Sequence, residues 1–170
     1  MTEELRRLTD QFRALGAIDP ESWARSQLEE GIPQYARLVF LREAWNSILP
    51  DGDTSWMQPL IDWSNRWPRD PGAGAGQALQ RILSSGASQE DVAELVRVMQ
   101  WKVLAGLAYQ LSDPSVVEYP SKDLPEVSWK LFEVDEEGQP LHPIDMLHES
   151  ILETDPSGRE MRPRGISHDG

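Results

Sequence analysis

Six side chains that could do chemistry lie within fourteen positions near the end of the sequence. They are two histidines and four carboxylates: His142, Asp145, His148, Glu149, Glu153 and Asp155. Imidazole and carboxylate groups together can hold a divalent metal or exchange protons with a substrate. On a helix, His142, Asp145 and Glu149 would share one face, with His148 about a quarter turn away. The segment therefore supports one hypothesis, a small metal-dependent or acid–base enzyme that uses the His142–Asp155 cluster.

A simpler interpretation of the same segment is structural. His142 precedes Pro143, as a turn or capping residue does, and the carboxylates are typical of a solvated helix face. His148 and Glu149 begin like the zinc-protease motif HExxH, but Leu152 stands where the second histidine is required. We therefore predict no catalytic residue, no metal ligand and no cofactor.

Other motifs are incomplete. Residues 70–76 (DPGAGAG) resemble a phosphate-binding loop, but Gln77 replaces the last glycine and no Gly-Lys-Ser/Thr follows. We predict that this stretch is a flexible connector between two helical layers. Residues 51–55 (DGDTS) resemble a calcium loop, but Trp56 occupies its glycine position. The chain has no cysteine, which excludes disulfides and thiolate chemistry.

The formal net charge is −13, and most of it lies near the C-terminal end. Residues 113–170 carry 14 acidic and 5 basic side chains, a net charge of −9. Such a surface repels phosphate backbones, so we predict no direct binding to nucleic acid and favour a basic protein partner. The alternative interpretation is that the acidic surface serves solubility alone.

Helical patterns dominate the first two thirds of the chain. Capping residues predict helix starts after Thr2 and Asp19, and Pro33 starts a third helix. The longest predicted helix is Ser88–Leu111. Because residues 98–109 of that helix are apolar on nearly all sides, we expect other helices to surround it.

The last third has a different pattern. Trp129–Val134 alternates as a strand does, and Asp135–Gly138 is a turn signal, so we predict one arm of a hairpin. A short helix is predicted at Ile144–Leu152. The predicted fold is mainly α (α+β): a bundle of five to six helices around a central long helix, with a small β-hairpin in the C-terminal third. We assign residues 1–158 to one domain and residues 159–170 to a surface tail.

Three tryptophans in the stretch 55–68 raise the question of a ligand-stacking platform. On a helical wheel Trp56, Leu60, Trp63 and Trp67 form one narrow stripe, and polar residues occupy the opposite side. A platform would need polar groups around the rings to recognise a ligand. We therefore predict that the stripe packs inward. In the alternative, part of the stripe is exposed and anchors a protein interface.

These observations favour a non-enzymatic acidic protein–protein interaction module, such as an inhibitor, antitoxin or immunity protein. It would bind a basic partner through its acidic C-terminal third. The predicted partner-binding residues are Glu133, Asp135, Glu136, Glu137, Glu149, Glu153 and Asp155. A homo-oligomer that pairs through the tryptophan stripe is a further hypothesis. The start of the chain lacks a signal-peptide pattern and no apolar run could span a membrane, so we predict a cytoplasmic protein without membrane contact.

Overall fold

The computed structural model describes residues 2–116, 118 and 121–164. Within them the chain forms seven α-helices and a two-stranded antiparallel sheet. In chain order these are α1 (Glu3–Ala14), α2 (Pro20–Glu30), α3 (Gln34–Trp45), α4 (Met57–Arg66), α5 (Gly74–Ser84), α6 (Gln89–Ser112), β1 (Phe132–Val134), β2 (Pro140–Pro143) and α7 (Leu147–Ser150). The predicted mainly helical class, with one long helix and a small β-hairpin, is confirmed. None of the described helices combines the length and the apolar character needed to cross a lipid bilayer.

The described residues group into two compact units. Unit 1 contains the described residues of 1–47 and 102–170, and unit 2 contains residues 48–101. Helix α6 begins in unit 2 and ends in unit 1. Each unit has hydrophobic core residues of its own. The assignment of residues 1–158 to one domain stays a prediction.

The core of unit 1 is built where α1, α2 and α3 pack together. It consists of Leu5, Leu8, Phe12, Trp23, Ala24 and Leu38. The ring of Phe12 is fully buried, with its centroid 6.0 Å from that of Trp23 and 5.8 Å from that of Tyr35. Both predicted caps are confirmed: Thr2 accepts a hydrogen bond from the Leu5 N–H, and Asp19 accepts one from the Ser22 N–H.

In unit 2, α4 and α5 pack on each other through Met57, Ile61 and Leu79. The inward face of α4 therefore carries Met57, Ile61 and Ser64, about one residue away from the predicted tryptophan stripe. The prediction that the whole stripe packs inward is wrong. Trp56 and Leu60 pack against the core, but the side chains of Trp63 and Trp67 are 36% and 49% exposed.

Only the first part of the glycine-rich stretch 70–76, residues 70–73, connects helix α4 to helix α5. Helix α5 begins inside it, at Gly74, and Gly76 lies on the face that contacts α4. A Cβ atom at Gly76 would lie 2.1 Å from the Ser64 Oγ and 2.6 Å from the Leu60 carbonyl oxygen. The glycine is therefore what allows the two helix backbones to approach each other closely.

Helix α6 differs from its prediction in one respect. Its bounds, Gln89–Ser112, agree with the predicted Ser88–Leu111, and the Ser88 Oγ accepts a hydrogen bond from the Asp91 N–H. Its second half, however, is not covered on all sides by the other described helices. Within unit 1, Val103 and Leu107 are 62% and 52% exposed, and Gly106 has open space above it.

The C-terminal third of unit 1 contains the predicted hairpin and helix in shortened form. Strand β1 covers only the last three residues of the predicted strand, and Trp129 instead donates a hydrogen bond to the Gln110 carbonyl. Helix α7 has four residues and begins at Leu147 instead of the predicted Ile144, because Met146 has a left-handed backbone (φ 56°), which a continuous helix excludes. The three apolar residues predicted for its inner face, Ile144, Leu147 and Ile151, are all buried.

Candidate partner-binding surface

Arg37 of α3 fixes the position of the segment that leads into α7. Its Nη2 donates to the Met146 carbonyl at 2.7 Å and to the Ser150 Oγ at 2.9 Å, and its Nη1 donates to the Gln34 Oε1 at 3.2 Å. The side chain is buried, which lowers the pKa of the guanidinium, although Glu149 and other carboxylates act in the opposite direction. The arginine thus holds the left-handed turn at Met146 in place.

Two tryptophans fix the next part of this segment to the N-terminal helices. Trp45, almost fully buried at the end of α3, donates its indole N–H to the Ile151 carbonyl and to the Thr154 Oγ1, both at 3.1 Å. Trp23 of α2 donates its indole N–H to the Glu153 Oε1 at 2.7 Å. The bonds of Trp45 satisfy an indole N–H that is buried, and together the three bonds attach residues 151–154 to α2 and α3.

The anchored segment presents two of the predicted partner-binding acids. Glu149 and Glu153 are both exposed, and one oxygen of Glu153 is engaged with Trp23. Asp145, at the start of the segment, forms an ion pair of 3.4 Å with Lys130. Because one oxygen of Glu153 is engaged with Trp23, Glu149 is more accessible to a partner than Glu153 is.

Four other predicted acids lie on the hairpin. Asp135 builds its turn, because the carboxylate accepts hydrogen bonds from the N–H groups of Glu137 (3.1 Å) and Gln139 (2.7 Å). This arrangement leaves Glu136 and Glu137 exposed at the tip. On strand β1, the Glu133 Oε2 lies 3.2 Å from His142 Nδ1 across the hairpin. Asp135 thus fixes the backbone of a short turn, and this turn carries two exposed, negatively charged side chains.

Exposed apolar side chains accompany these acids on the hairpin. Phe132, Val134 and Leu141 are 40%, 54% and 50% exposed. Phe132 and Val134 share one face of β1. We call these two residues and Leu141 of β2, together with Glu136 and Glu137, the hairpin surface. The sequence pattern predicts the acids of this surface but not the exposure of its apolar residues. The alternation of Trp129–Val134 placed Trp129 and Leu131 on one side and Phe132 and Val134 on the other, yet it could not show which of these apolar side chains are exposed.

Asp155 is in a different environment from the other predicted acids. It is only 2% exposed, and its carboxylate accepts hydrogen bonds from the N–H groups of Ser157 and Met161 and from the Ser157 hydroxyl. Its role is to close the loop that follows α7, and its carboxylate is not at the surface. Its predicted contact with a partner remains untested, and we leave it out of the proposed surface. This loop includes the first residues of the predicted tail 159–170, while residues 165–170 lie outside the described part.

The structure gives the two histidines of the predicted cluster different environments. His142 contacts Glu133 on the hairpin, whereas His148 packs its ring edge-to-face on Tyr109 of α6, with a centroid distance of 4.8 Å. In the described part of the chain, no group of three or more histidine and carboxylate side chains is arranged to hold a metal ion. The geometry therefore offers no observation in favour of the enzyme hypothesis.

Unit 1 also contains a cleft of about 500 Å³ next to Glu153. Its walls include Leu15, Ile18, Trp23 and Arg42. An enzyme that used the predicted cluster would need both histidines and at least two carboxylates at one cleft. Neither His142 nor His148 lines this one, and of its two carboxylates Asp155 is fully engaged in its own loop.

Comparison with known proteins identifies no relative. No family model, no curated protein and no solved structure shows significant similarity to this chain.

Proposed function

We propose that this protein is a non-enzymatic binding protein for a basic protein partner, and that the hairpin surface is its main contact. An inhibitor, an antitoxin or an immunity protein would act in this way. The observation that carries the proposal is the exposure of Phe132 and Val134, which share one face of β1, on the hairpin whose tip carries the exposed Glu136 and Glu137. Protein interfaces commonly combine an apolar centre with a polar or charged rim.

Charge supports the choice of a basic partner. The net charge of −9 on residues 113–170 creates a negative potential that would attract a cationic protein over a distance of about 10 Å at moderate salt. Glu149 adds to this potential from the segment anchored by Arg37. Attraction of this kind acts mainly on the association rate, and apolar contacts then slow dissociation.

Reversing the charge of the tip tests the proposal. A photo-crosslinking amino acid placed at Leu141 would first capture the partner in the source organism. The purified pair is then measured by stopped flow, with Glu136→Lys/Glu137→Lys as the variant. We expect this variant to associate about tenfold more slowly at low salt, and high salt to remove most of the difference.

The matched control is Glu29→Lys/Glu30→Lys at the end of α2. It changes the net charge by the same amount at exposed positions, where a helix C-terminus tolerates cations. We expect it to slow association by less than about threefold. Equal effects of the two variants would show that only total charge matters. A rate indifferent to salt and to both variants would exclude electrostatic steering.

The exposed face of α6 within unit 1 favours a second candidate function, a subunit that pairs with another copy of the chain. Val103 and Leu107 are more exposed than core-facing helix residues usually are, and the free space above Gly106 would let a second helix approach closely. This candidate replaces the predicted pairing through the tryptophan stripe, which is a different surface.

Self-association through α6 predicts a concentration-dependent dimer. Sedimentation velocity between about 1 and 100 μM should show the dimer for the native chain, and Val103→Glu/Leu107→Glu should raise its dissociation constant by a hundredfold or more, since two apolar side chains lose their burial. Glu136→Lys/Glu137→Lys should leave the dimer unchanged. A native chain that stays monomeric up to 100 μM would exclude this candidate.

A further inference from the structure

The hydrogen bonds of the hairpin show which side of each strand is occupied. The Ile144 N–H donates to the Leu131 carbonyl at 2.8 Å, and the Asp135 N–H donates to the Gln139 carbonyl at 3.0 Å. Backbone groups alternate in direction along a strand. The N–H and C=O groups of Leu131, Glu133 and Asp135 therefore point towards β2, and those of Phe132 and Val134 point away from it.

The outer edge of β2 is protected against further pairing. Phe132 is opposite Pro143 and Val134 is opposite Pro140, with one extra residue of β2 between these two antiparallel pairs. Both prolines therefore occupy outward-pointing positions, and neither has an N–H to offer. Proline at these positions is a common way to prevent another strand from adding to an edge.

The outer edge of β1 has no such protection. Among the described residues, nothing donates to or accepts from the backbone of Phe132 or Val134 outside the hairpin. Their side chains are also exposed, and they lie on the opposite face of the strand from Glu133. The prolines of β2 thus prevent strand addition at one edge of the hairpin. At the other edge, β1 has backbone groups without a partner among the described residues, beside exposed apolar side chains.

Charge selects the kind of strand that fits this edge. A second copy pairing β1 with β1 in antiparallel orientation around Glu133 would place two glutamates opposite each other, which is destabilising. A strand with alternating apolar and basic residues would instead contact Phe132 and Val134 on one face and Glu133 on the other.

We infer that the free edge of β1 binds an extended, basic segment of the partner as an additional antiparallel or parallel strand. This inference rests on the proposed function and specifies its binding mode. Main-chain hydrogen bonds to Phe132 and Val134 would supply affinity in this mode, and the alternating side chains would supply specificity.

A synthetic peptide tests the binding mode directly. The probe is a capped eight-residue peptide of alternating lysine and valine, titrated into the ¹⁵N-labelled full chain and followed by NMR. We expect the amide signals of Phe132 and Val134 to shift and their hydrogen exchange to slow on binding, because these N–H groups become hydrogen-bonded. Binding without slower exchange at either amide would overturn the inference.

A substitution with proline separates strand addition from attraction by charge. Val134→Pro removes only an outward N–H, so the hairpin and both tip acids should persist, and the matched control Val134→Thr keeps that N–H. We expect the proline variant to bind the lysine peptide roughly tenfold more weakly than the threonine variant does. Equal affinities for the two variants would also overturn the inference. Circular dichroism and the remaining hairpin amide signals report whether both variants fold.

A peptide of opposite charge distinguishes this failure from failure of the proposed function. In it, glutamate replaces every lysine. If the lysine peptide binds more tightly, and Glu136→Lys/Glu137→Lys removes the preference while Val134→Pro has no effect, the acidic surface is functional but strand addition is wrong. If the two peptides bind equally, or neither binds at 1 mM, the inference and the preference for a basic partner both fail.

Discussion

Replacing Arg37 with methionine is expected to lower the free energy of unfolding of unit 1 by about 3–5 kcal/mol. Methionine fills much of the same volume but donates no hydrogen bond. The Met146 carbonyl and the Ser150 Oγ would lose their charged donor, and the left-handed turn before α7 would lose its support. Urea unfolding, followed by far-ultraviolet circular dichroism, measures the difference.

The matched control for this variant is Arg42→Met, on the same helix. Arg42 is exposed, and the hydrogen bond that its guanidinium donates, to the Leu15 carbonyl, is long at 3.4 Å. We expect its loss to cost less than about 1 kcal/mol. If Arg37→Met costs no more than Arg42→Met, the anchoring of residues 146–154 does not depend on the guanidinium.

Gly76→Ala is expected to destabilise unit 2 by about 2–3 kcal/mol. The added methyl group would collide with the Ser64 Oγ and with the Leu60 carbonyl oxygen, and the second of these belongs to the backbone of α4, which cannot rotate away. The helices α4 and α5 would have to separate and lose part of the contact between Ile61 and Leu79. Differential scanning calorimetry, or urea unfolding followed by far-ultraviolet circular dichroism, would record the loss.

Gly74→Ala provides the comparison on the same helix. A Cβ atom at Gly74 meets nothing within 4 Å, and alanine favours the helix, so we expect no change or a gain of up to about 1 kcal/mol. Adding Ser64→Gly to Gly76→Ala should restore only part of the stability, because the clash with the Leu60 carbonyl remains. Equal effects of alanine at positions 74 and 76 would show that the close approach of α4 and α5 is not required.

The features that local sequence decides were predicted well. Thr2, Asp19 and Ser88 are helix caps because their side chains bond N–H groups only three residues away. The turn Asp135–Gly138 forms for the same reason: Asp135 bonds to its own loop, and Gly138 adopts the positive φ that the turn requires. Such contacts involve neighbours in sequence, so pattern alone identifies them.

The errors occurred where distant residues decide the outcome. A helical wheel shows that α4 has an apolar side, but the position of Gly76 on α5 determines that Met57, Ile61 and Ser64 face inward while Trp63 stays partly exposed. In the same way, the apolar pattern of α6 indicated burial, yet no described helix covers Val103 and Leu107. An apolar side chain is more stable when it is buried, but the packing partners that the tertiary structure supplies determine whether it is buried.

The candidate surface likewise combines features that local sequence decides with features that distant contacts decide. The sequence by itself determined that the charge of the last third is strongly negative and that Glu136 and Glu137 occupy a turn after a strand. That Pro140 and Pro143 belong to the second strand of the hairpin is known only from the structure. Only the tertiary structure decided that Asp155 is buried, that the two histidines have separate environments, and that the free backbone groups of Phe132 and Val134 lie beside exposed apolar side chains. The physical reason is that charge and turn propensity depend on residues close in sequence. Burial and strand register are instead set by contacts such as those of Arg37 with Met146 and Ser150, across more than a hundred residues of chain.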